Sequence, residues 1–210
     1  MRRSCGQPAA LLPTSGGARS VLNKDTTGAA APVLRDSRCD PVTGVGDLMT
    51  ARKPTCTVLG GGGFLGLNLC RRLASAGYRV RAFGRQCSFP EALGDVSWFP
   101  GDASDAGALA AAIESCEVVF YMLGTTMYSA QHDMAQDLHE NVIMALNCFN
   151  VSRKLGVKRI VFTSSGGSIY GAPAQIPTPE TAPTEPFASY GVSKLTIEKY
   201  LAVYERFYGV

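Results

Sequence analysis

The 210-residue sequence lacks most of what would mark a specialised surface. No apolar run approaches the ~20 residues needed to cross a bilayer, so no membrane partner is expected. The seven cysteines, at 5, 39, 56, 70, 87, 116 and 148, include no C-x-x-C pair. An odd, dispersed set reads as the reduced thiols of a cytoplasmic protein, not as a disulfide frame or a zinc site. Cys70, Cys116 and Cys148 fall within or beside expected helices and strands, where small hydrophobes belong. The two histidines, His132 and His139, have neither ligand spacing nor a catalytic partner, so no metal is expected. Charge is scarce and unevenly placed. Residues 1–54 hold eight Arg and Lys against four Asp, whereas residues 55–210 hold twelve against thirteen acids. A nearly neutral body gives no support for a nucleic-acid surface, and none is expected.

Residues 1–54 also lack Phe, Tyr, Trp and any sustained periodicity. Such a segment buries too little apolar surface to offset its ordering entropy and reads as a disordered N-terminal extension. Ala9–Leu12 is too short for the apolar centre of a secretory signal, and four Asp argue against a transit peptide. Met49 leads straight into the first strand and is an alternative start to Met1.

From Thr55 onward, short Val-, Ile- and Phe-rich runs alternate with helical patterns. The expected strands are Thr55–Gly60, Arg79–Phe83, Val96–Phe99, Val118–Leu123 and Arg159–Ser164. Leu65, Leu69 and Leu73 mark a helix stopped by Gly77. Asp105–Glu114 is Ala-rich, with Ser104 or Asp102 near its cap. A long helix spans about Met134–Leu155, ended by Gly156, with Arg153 and Lys154 complementing its dipole. A Pro-rich loop leads to a last helix around Phe187–Phe207. Alternating β and α with buried strands means a parallel sheet with right-handed crossovers. The expected architecture is α/β, a Rossmann-like doubly wound parallel sheet of order 3-2-1-4-5 over residues 55–210.

The first turn carries the chemistry. In Gly60-Gly61-Gly62-Gly63-Phe64-Leu65-Gly66, the glycines at 60, 63 and 66 follow G-x-x-G-x-x-G spacing between a strand and a helix. Such a turn brings backbone N–H groups and a positive helix end up to a pyrophosphate. Far downstream, Tyr190 and Lys194 lie four residues apart on one helix face. A phenol is mostly protonated at neutral pH, so it needs a nearby cation to act as a base. A bare Y-x-x-x-K is usually an ordinary surface pair; its place after the fifth strand and the Pro-rich loop points to catalysis. Thr163, Ser164 and Ser165 fall at the carboxyl end of that strand, where open α/β sheets hold ligands.

With these elements in order, the chain resembles the extended short-chain dehydrogenase/reductases, in the NAD-dependent epimerase/dehydratase branch, and within it the UDP-glucose 4-epimerases. The resemblance rests on the glycine turn, Gly101-Asp102, Asn141, Lys158–Ser165, Ile169-Tyr170-Gly171, and Glu180…Pro183…Pro186…Tyr190-x-x-x-Lys194. It implies a nucleotide-sugar substrate, a UDP-sugar, and 4-epimerisation through transient oxidation to a keto sugar. It implies Tyr190 as base, Lys194 on the nicotinamide ribose, and a hydroxyl partner. The family's Ser or Thr five residues before Gly171 is replaced here by Gly166, so Ser165 takes the role, with Ser164 and Ser168 as alternatives. Gly60, Gly63, Phe64, Leu65 and Gly66 would hold the pyrophosphate. Thr125 and Thr126 would line the crevice. Asn141 would bind or brace the site, unless it is merely solvated.

Asp102 would contact the adenine, though a turn or cap role is equally natural after Gly101. The cofactor is expected to be NAD, with NADP open. The second strand ends in Phe83-Gly84-Arg85 without the acid that holds a ribose 2′-hydroxyl, and Arg85 either meets a 2′-phosphate or is a plain surface residue. Dehydration is disfavoured, because Gly166, Gly167 and Ser168 stand where acids would be needed. A reductase or a non-catalytic dinucleotide sensor remains as an alternative. Relatives continue past the point where this chain ends. The expectation is therefore a Rossmann domain incomplete at its C-terminus, without its substrate domain, with an exposed fifth-strand edge, poor solubility and little turnover. The long and last helices are candidates for a homodimer contact.

Overall fold

The computed structural model describes residues 53–125, 133–173 and 175–210. The expected disorder of residues 1–54 falls, apart from Lys53 and Pro54, outside the described residues, as do Thr126 and His132. In chain order the elements are β1 (Thr55–Leu59), α1 (Phe64–Ser75), β2 (Arg79–Gly84), β3 (Ser97–Pro100), α2 (Ala106–Ile113), β4 (Val118–Tyr121) and α3 (Met134–Asp137). A π-helical stretch (Leu138–Ile143) follows, then α4 (Met144–Lys154), β5 (Arg159–Phe162), α5 (Gly166–Ile169) and α6 (Ser189–Tyr208).

The five strands form one sheet in the order β3-β2-β1-β4-β5, every pairing parallel. This is the expected Rossmann-like order. Leu59 lies opposite both Phe83 and Tyr121, and Tyr121 opposite Phe162. The carboxyl ends of four strands therefore finish level, along one edge. Site-bearing loops leave from that edge.

Every residue of β1 is buried, as expected for a strand covered on both faces. Successive side chains alternate between two cores. Cys56 and Val58 join Leu67, Cys70, Val80 and Ala82 beneath α1. Leu59 joins Phe83, Ile113, Tyr121, Phe149 and Ile197 beneath α2, α4 and α6. Each such fully buried side chain contributes about 1.5–3 kcal/mol of transfer free energy. Tyr121 and Phe149 meet edge to face with centroids 5.6 Å apart, and Phe149 meets Tyr204 at 5.7 Å. This aromatic file ties the last helix to the centre of the sheet. Cys56, Cys70 and Cys148 are buried, and desolvation pushes their thiols up to about 12. Cys70 and Cys148 are packing residues, as expected, as is Cys116, which is also buried; Cys56 joins them.

Helix ends follow local chemistry. Gly77 and Gly156, at φ +89° and +72°, follow the ends of α1 and α4. Val157 N–H reaches back to Ser152 O at 3.0 Å, closing the last turn of α4. The cap of α2 is neither Ser104 nor Asp102 but Asp105, which accepts from Gly107 N at 2.8 Å and Ala108 N at 3.1 Å. Asp102 is occupied one turn earlier. Its Oδ1 accepts from Ser104 N and Ser104 Oγ at 2.9 and 2.8 Å, so the two candidates satisfy each other.

Candidate functional site

The glycine turn is built as a cradle. Gly60 has φ +90°, a region L side chains rarely adopt, and its N–H donates to Phe83 O at 2.8 Å. A Cβ on Gly66 would run into Gly60 O, so α1 can approach the turn only with glycine there. Gly63 differs from both. A Cβ there would meet only Gly60 O, at an ordinary 3.5 Å, and Gly63 is the N-cap of α1 in extended conformation. Neither backbone nor packing demands glycine at 63. With Gly60 and Gly62 it lines the hollow over the turn, where a bulky anion would need the room. The first-turn N–H groups of Phe64 and Leu65 lack internal helical partners by position, and both side chains point out, 79% and 62% exposed. That is the geometry expected of a pyrophosphate cradle.

Beyond this turn, Phe83, Gly84, Arg85, Asp102, Leu123 and Thr125 line a cavity of about 170 Å³ between the ends of β2, β3 and β4. Asp102 sits on its wall, half-buried, with its carboxyl held below the usual range by the Ser104 backbone and side-chain hydrogen bonds and, more weakly, by Arg85. The turn role and the cavity-lining place thus coexist at one residue.

The second half of the site hangs from α6. Lys194 is buried, and its Nζ donates to Thr163 O at 3.0 Å. The ammonium lies 4.7 Å from the Phe162 ring centroid and 5.6 Å from that of Tyr190. Burial pulls its pKa below the ordinary 10.5. Tyr190 is half-buried one turn earlier, near the start of the helix. Ser165 is the N-cap of α5 and makes no capping hydrogen bond; its Oγ pairs instead with Ser168 Oγ at 2.9 Å. Two of the three candidates for the hydroxyl role, Ser165 and Ser168, thus form one unit. This turn packs directly on α6, since a Cβ on Gly191 would lie 2.6 Å from Ser168 O.

Asn141 is neither solvated nor isolated. It lies in the π-helical stretch, buried, accepting from Thr125 N at 3.0 Å and donating to Thr125 Oγ1 at 2.7 Å and Asp137 Oδ1 at 2.6 Å. Asp137 is buried too, and its Oδ2 accepts from Ser193 Oγ at 2.7 Å. The π turn adds one residue to the winding, and such insertions recur at functional sites. Asp137 therefore clamps three elements: the loop after β4, the long helix, and α6 one residue before Lys194. Sequence reading missed Asp137 and Ser193. The signal was there in outline, a carboxylate and an amide at i and i+4 in a helix, but nothing in the spacing says that both are buried.

The NAD dependent epimerase/dehydratase family profile matches residues 56–210. The chain belongs to this family. Among relatives, it is 31% identical over 160 residues to the UDP-glucose 4-epimerase of Mycolicibacterium smegmatis, covering 72% of this chain and 51% of that one. Among solved structures it resembles the UDP-glucose 4-epimerase of Thermotoga maritima with UDP-glucose (TM-score 0.69, 30% identity, 74% of this chain and 52% of that chain). The Thermus thermophilus UDP-glucose 4-epimerase complex with NAD gives TM-score 0.69 at 29% identity over 74% and 52% of the two chains. The chain thus spans about half the length of these relatives. Among the described residues, no helix is long and apolar enough to cross a membrane, and no group of three or more His, Cys, Asp or Glu could hold a metal.

Proposed function

We propose that this chain is the dinucleotide-binding part of a cytoplasmic nucleotide-sugar epimerase, acting on a UDP-sugar at C4. The observation that carries the reading is the buried Lys194 ammonium, 5.6 Å from the Tyr190 ring, on a helix anchored at the strand edge that also carries the glycine cradle. The residues fit a nicotinamide dinucleotide: Gly60, Gly63 and Gly66 with the Phe64 and Leu65 N–H groups for the pyrophosphate, Asp102 and Arg85 for the adenosine half, Thr125 for the crevice. When bound, that group supplies reversible hydride transfer with the sugar carbon.

The chain's own residues handle protons and orientation. Lys194 stabilises the Tyr190 phenolate, which takes the proton of the sugar 4-hydroxyl and later returns it. The Ser165–Ser168 pair orients that hydroxyl. Thr163 O holds the lysine in place, and the Asp137 clamp fixes the helix phase. Gly166 and Gly167 leave open space in front of the hydroxyl pair, since a Cβ on either would meet nothing within 4 Å.

A second reading, a reductase that releases its cofactor, is favoured by the missing acid after β2 and by Arg85. One assay separates them. The protein is incubated with UDP-glucose and UDP-N-acetylglucosamine, each with NAD and NADP. Interconversion of 4-epimers without net cofactor turnover is the expected result, lost in Tyr190→Phe. Stoichiometric consumption of reduced cofactor would favour the reductase. Nucleotide binding with neither reaction would leave only the sensor.

A further inference from the structure

We infer that the cofactor site selects a dinucleotide carrying a 2′-phosphate on its adenosine ribose, with Arg85 as the selecting residue. The inference rests on the dinucleotide reading above and goes past it to the identity of the cofactor. In a doubly wound sheet the ribose edge of the adenosine half lies against the carboxyl end of β2, where an acid would accept from the free 2′-hydroxyl and repel a phosphate. Here β2 ends at Gly84, followed by Arg85, Gln86, Cys87 and Ser88, so the wall carries no carboxylate.

Three features make this wall part of the cradle. A Cβ on Gly62 would collide with Gln86 O, and Ser88 N donates to Gly62 O at 3.4 Å, so segment 86–88 lies directly against the glycine turn. Arg85 lines the adenosine-side cavity, the cavity over Gly60, Gly62 and Gly63, and the neighbouring one floored by Trp98. In the latter two it is the only charged lining residue. Arg85 is exposed; among the described residues its guanidinium makes no hydrogen bond, and Asp102 is its electrostatic neighbour.

Two acids, Asp102 and Glu140, share the adenosine-side cavity with Arg85, and each carboxylate already accepts hydrogen bonds, from Ser104 and Gln136 respectively. A guanidinium that lines both the adenosine-side and the pyrophosphate cavities, with Asp102 as an electrostatic neighbour but no hydrogen bond among the described residues, matches a phosphate dianion in charge and in its fork of donors. Glycine at 84 is not demanded by the fold. A Cβ there would make ordinary contacts, 3.4 Å to Trp98 and 3.9 Å to Gln86 O. A small side chain at 84 is accommodated, which makes the position open to test.

The experiment is calorimetric titration of the purified chain with NADPH and with NADH, at low and moderate salt. The wild-type protein is expected to bind NADPH at least about tenfold tighter, and Arg85→Ala to bring the two affinities within about threefold, mainly by weakening NADPH. Gly84→Asp is expected to reverse the order, because the new carboxylate accepts from the 2′-hydroxyl. Extra salt should weaken NADPH more than NADH in the wild type only. Equal affinities or an NADH preference in the wild type would overturn the inference and leave the dinucleotide reading intact. An equal loss of both nucleotides in Arg85→Ala would do the same, because it would assign Arg85 to the shared pyrophosphate. Binding of neither nucleotide by the wild type would overturn the dinucleotide reading itself, and this inference with it.

Discussion

Two glycine-rich turns stand at the carboxyl ends of parallel strands in this molecule, and they are glycine-rich for opposite reasons. After β1, a Cβ on Gly61 would lie 2.7 Å from Ala82 Cβ, and one on Gly66 would strike Gly60 O, so the protein itself fills the space. After β5, a Cβ on Gly166 or Gly167 would meet nothing within 4 Å, and neither residue has positive φ. The first turn is fixed by its own fold. The second leaves room that none of the described residues fills, next to Ser165 and Ser168. A motif can therefore look alike in sequence and be demanded by packing at one place and not at the other.

The largest expected effect lies in the first turn. Gly66→Ala forces a Cβ into a backbone carbonyl that cannot swing away, and should cost about 3 kcal/mol or more, with loss of dinucleotide binding. Gly167→Ala should leave stability unchanged or raise it by about 0.4–1 kcal/mol, since it removes freedom from the unfolded chain and meets no obstacle. Urea denaturation of both variants measures the contrast directly. Equal losses would mean that the second turn is also packed, against something not yet accounted for.

The clamp joining the two halves should come next. Asp137→Ala leaves Asn141 and Ser193 without their shared acceptor inside a buried site, at about 1–3 kcal/mol for each orphaned group. Asp137→Asn keeps an acceptor for Asn141 and a donor for Ser193, so most of that loss should be recovered. For the proposed epimerase activity, Asp137→Ala should lower kcat more than it raises KM for the sugar, because Lys194 and Tyr190 move relative to the crevice.

The smallest effect is a pH dependence. Burial lowers the folded-state pKa of Lys194, so between that pKa and the ordinary 10.5 the unfolded chain binds more protons than the folded one. The Lys194 contribution to stability therefore rises with pH across this window and is weakest below it, where folding keeps a desolvated ammonium. Lys194→Met should flatten that limb of the stability–pH curve. A slope unchanged by the substitution would place the proton elsewhere.

How much of this was legible beforehand differs between the same two regions. The sheet order, the cradle glycines and the Tyr190–Lys194 pair could be read because each depends on local spacing: an apolar run, a tight turn, one helical turn. Strand ends were missed by one or two residues, as at β4, which stops at Tyr121 and not at Leu123. Met122 N–H still donates to Leu59 O at 2.9 Å, but the regular ladder goes no further although the apolar run continues. The Asp137–Asn141–Thr125–Ser193 network was invisible except for its members' types. It depends on a π turn and on contacts between residues 56 positions apart, and no local pattern encodes either. The Ser165–Ser168 pairing was also beyond reach, because both were plausible alone.

The most direct test of the account is a crystal structure of this chain with a nicotinamide dinucleotide bound. The account predicts the pyrophosphate on the N–H groups at the start of α1, over the bare Cα of Gly63. It also predicts the nicotinamide ribose within hydrogen-bond reach of Lys194 Nζ and the Tyr190 hydroxyl. A dinucleotide bound away from the glycine turn, or a nicotinamide end out of reach of that lysine and phenol, would contradict it.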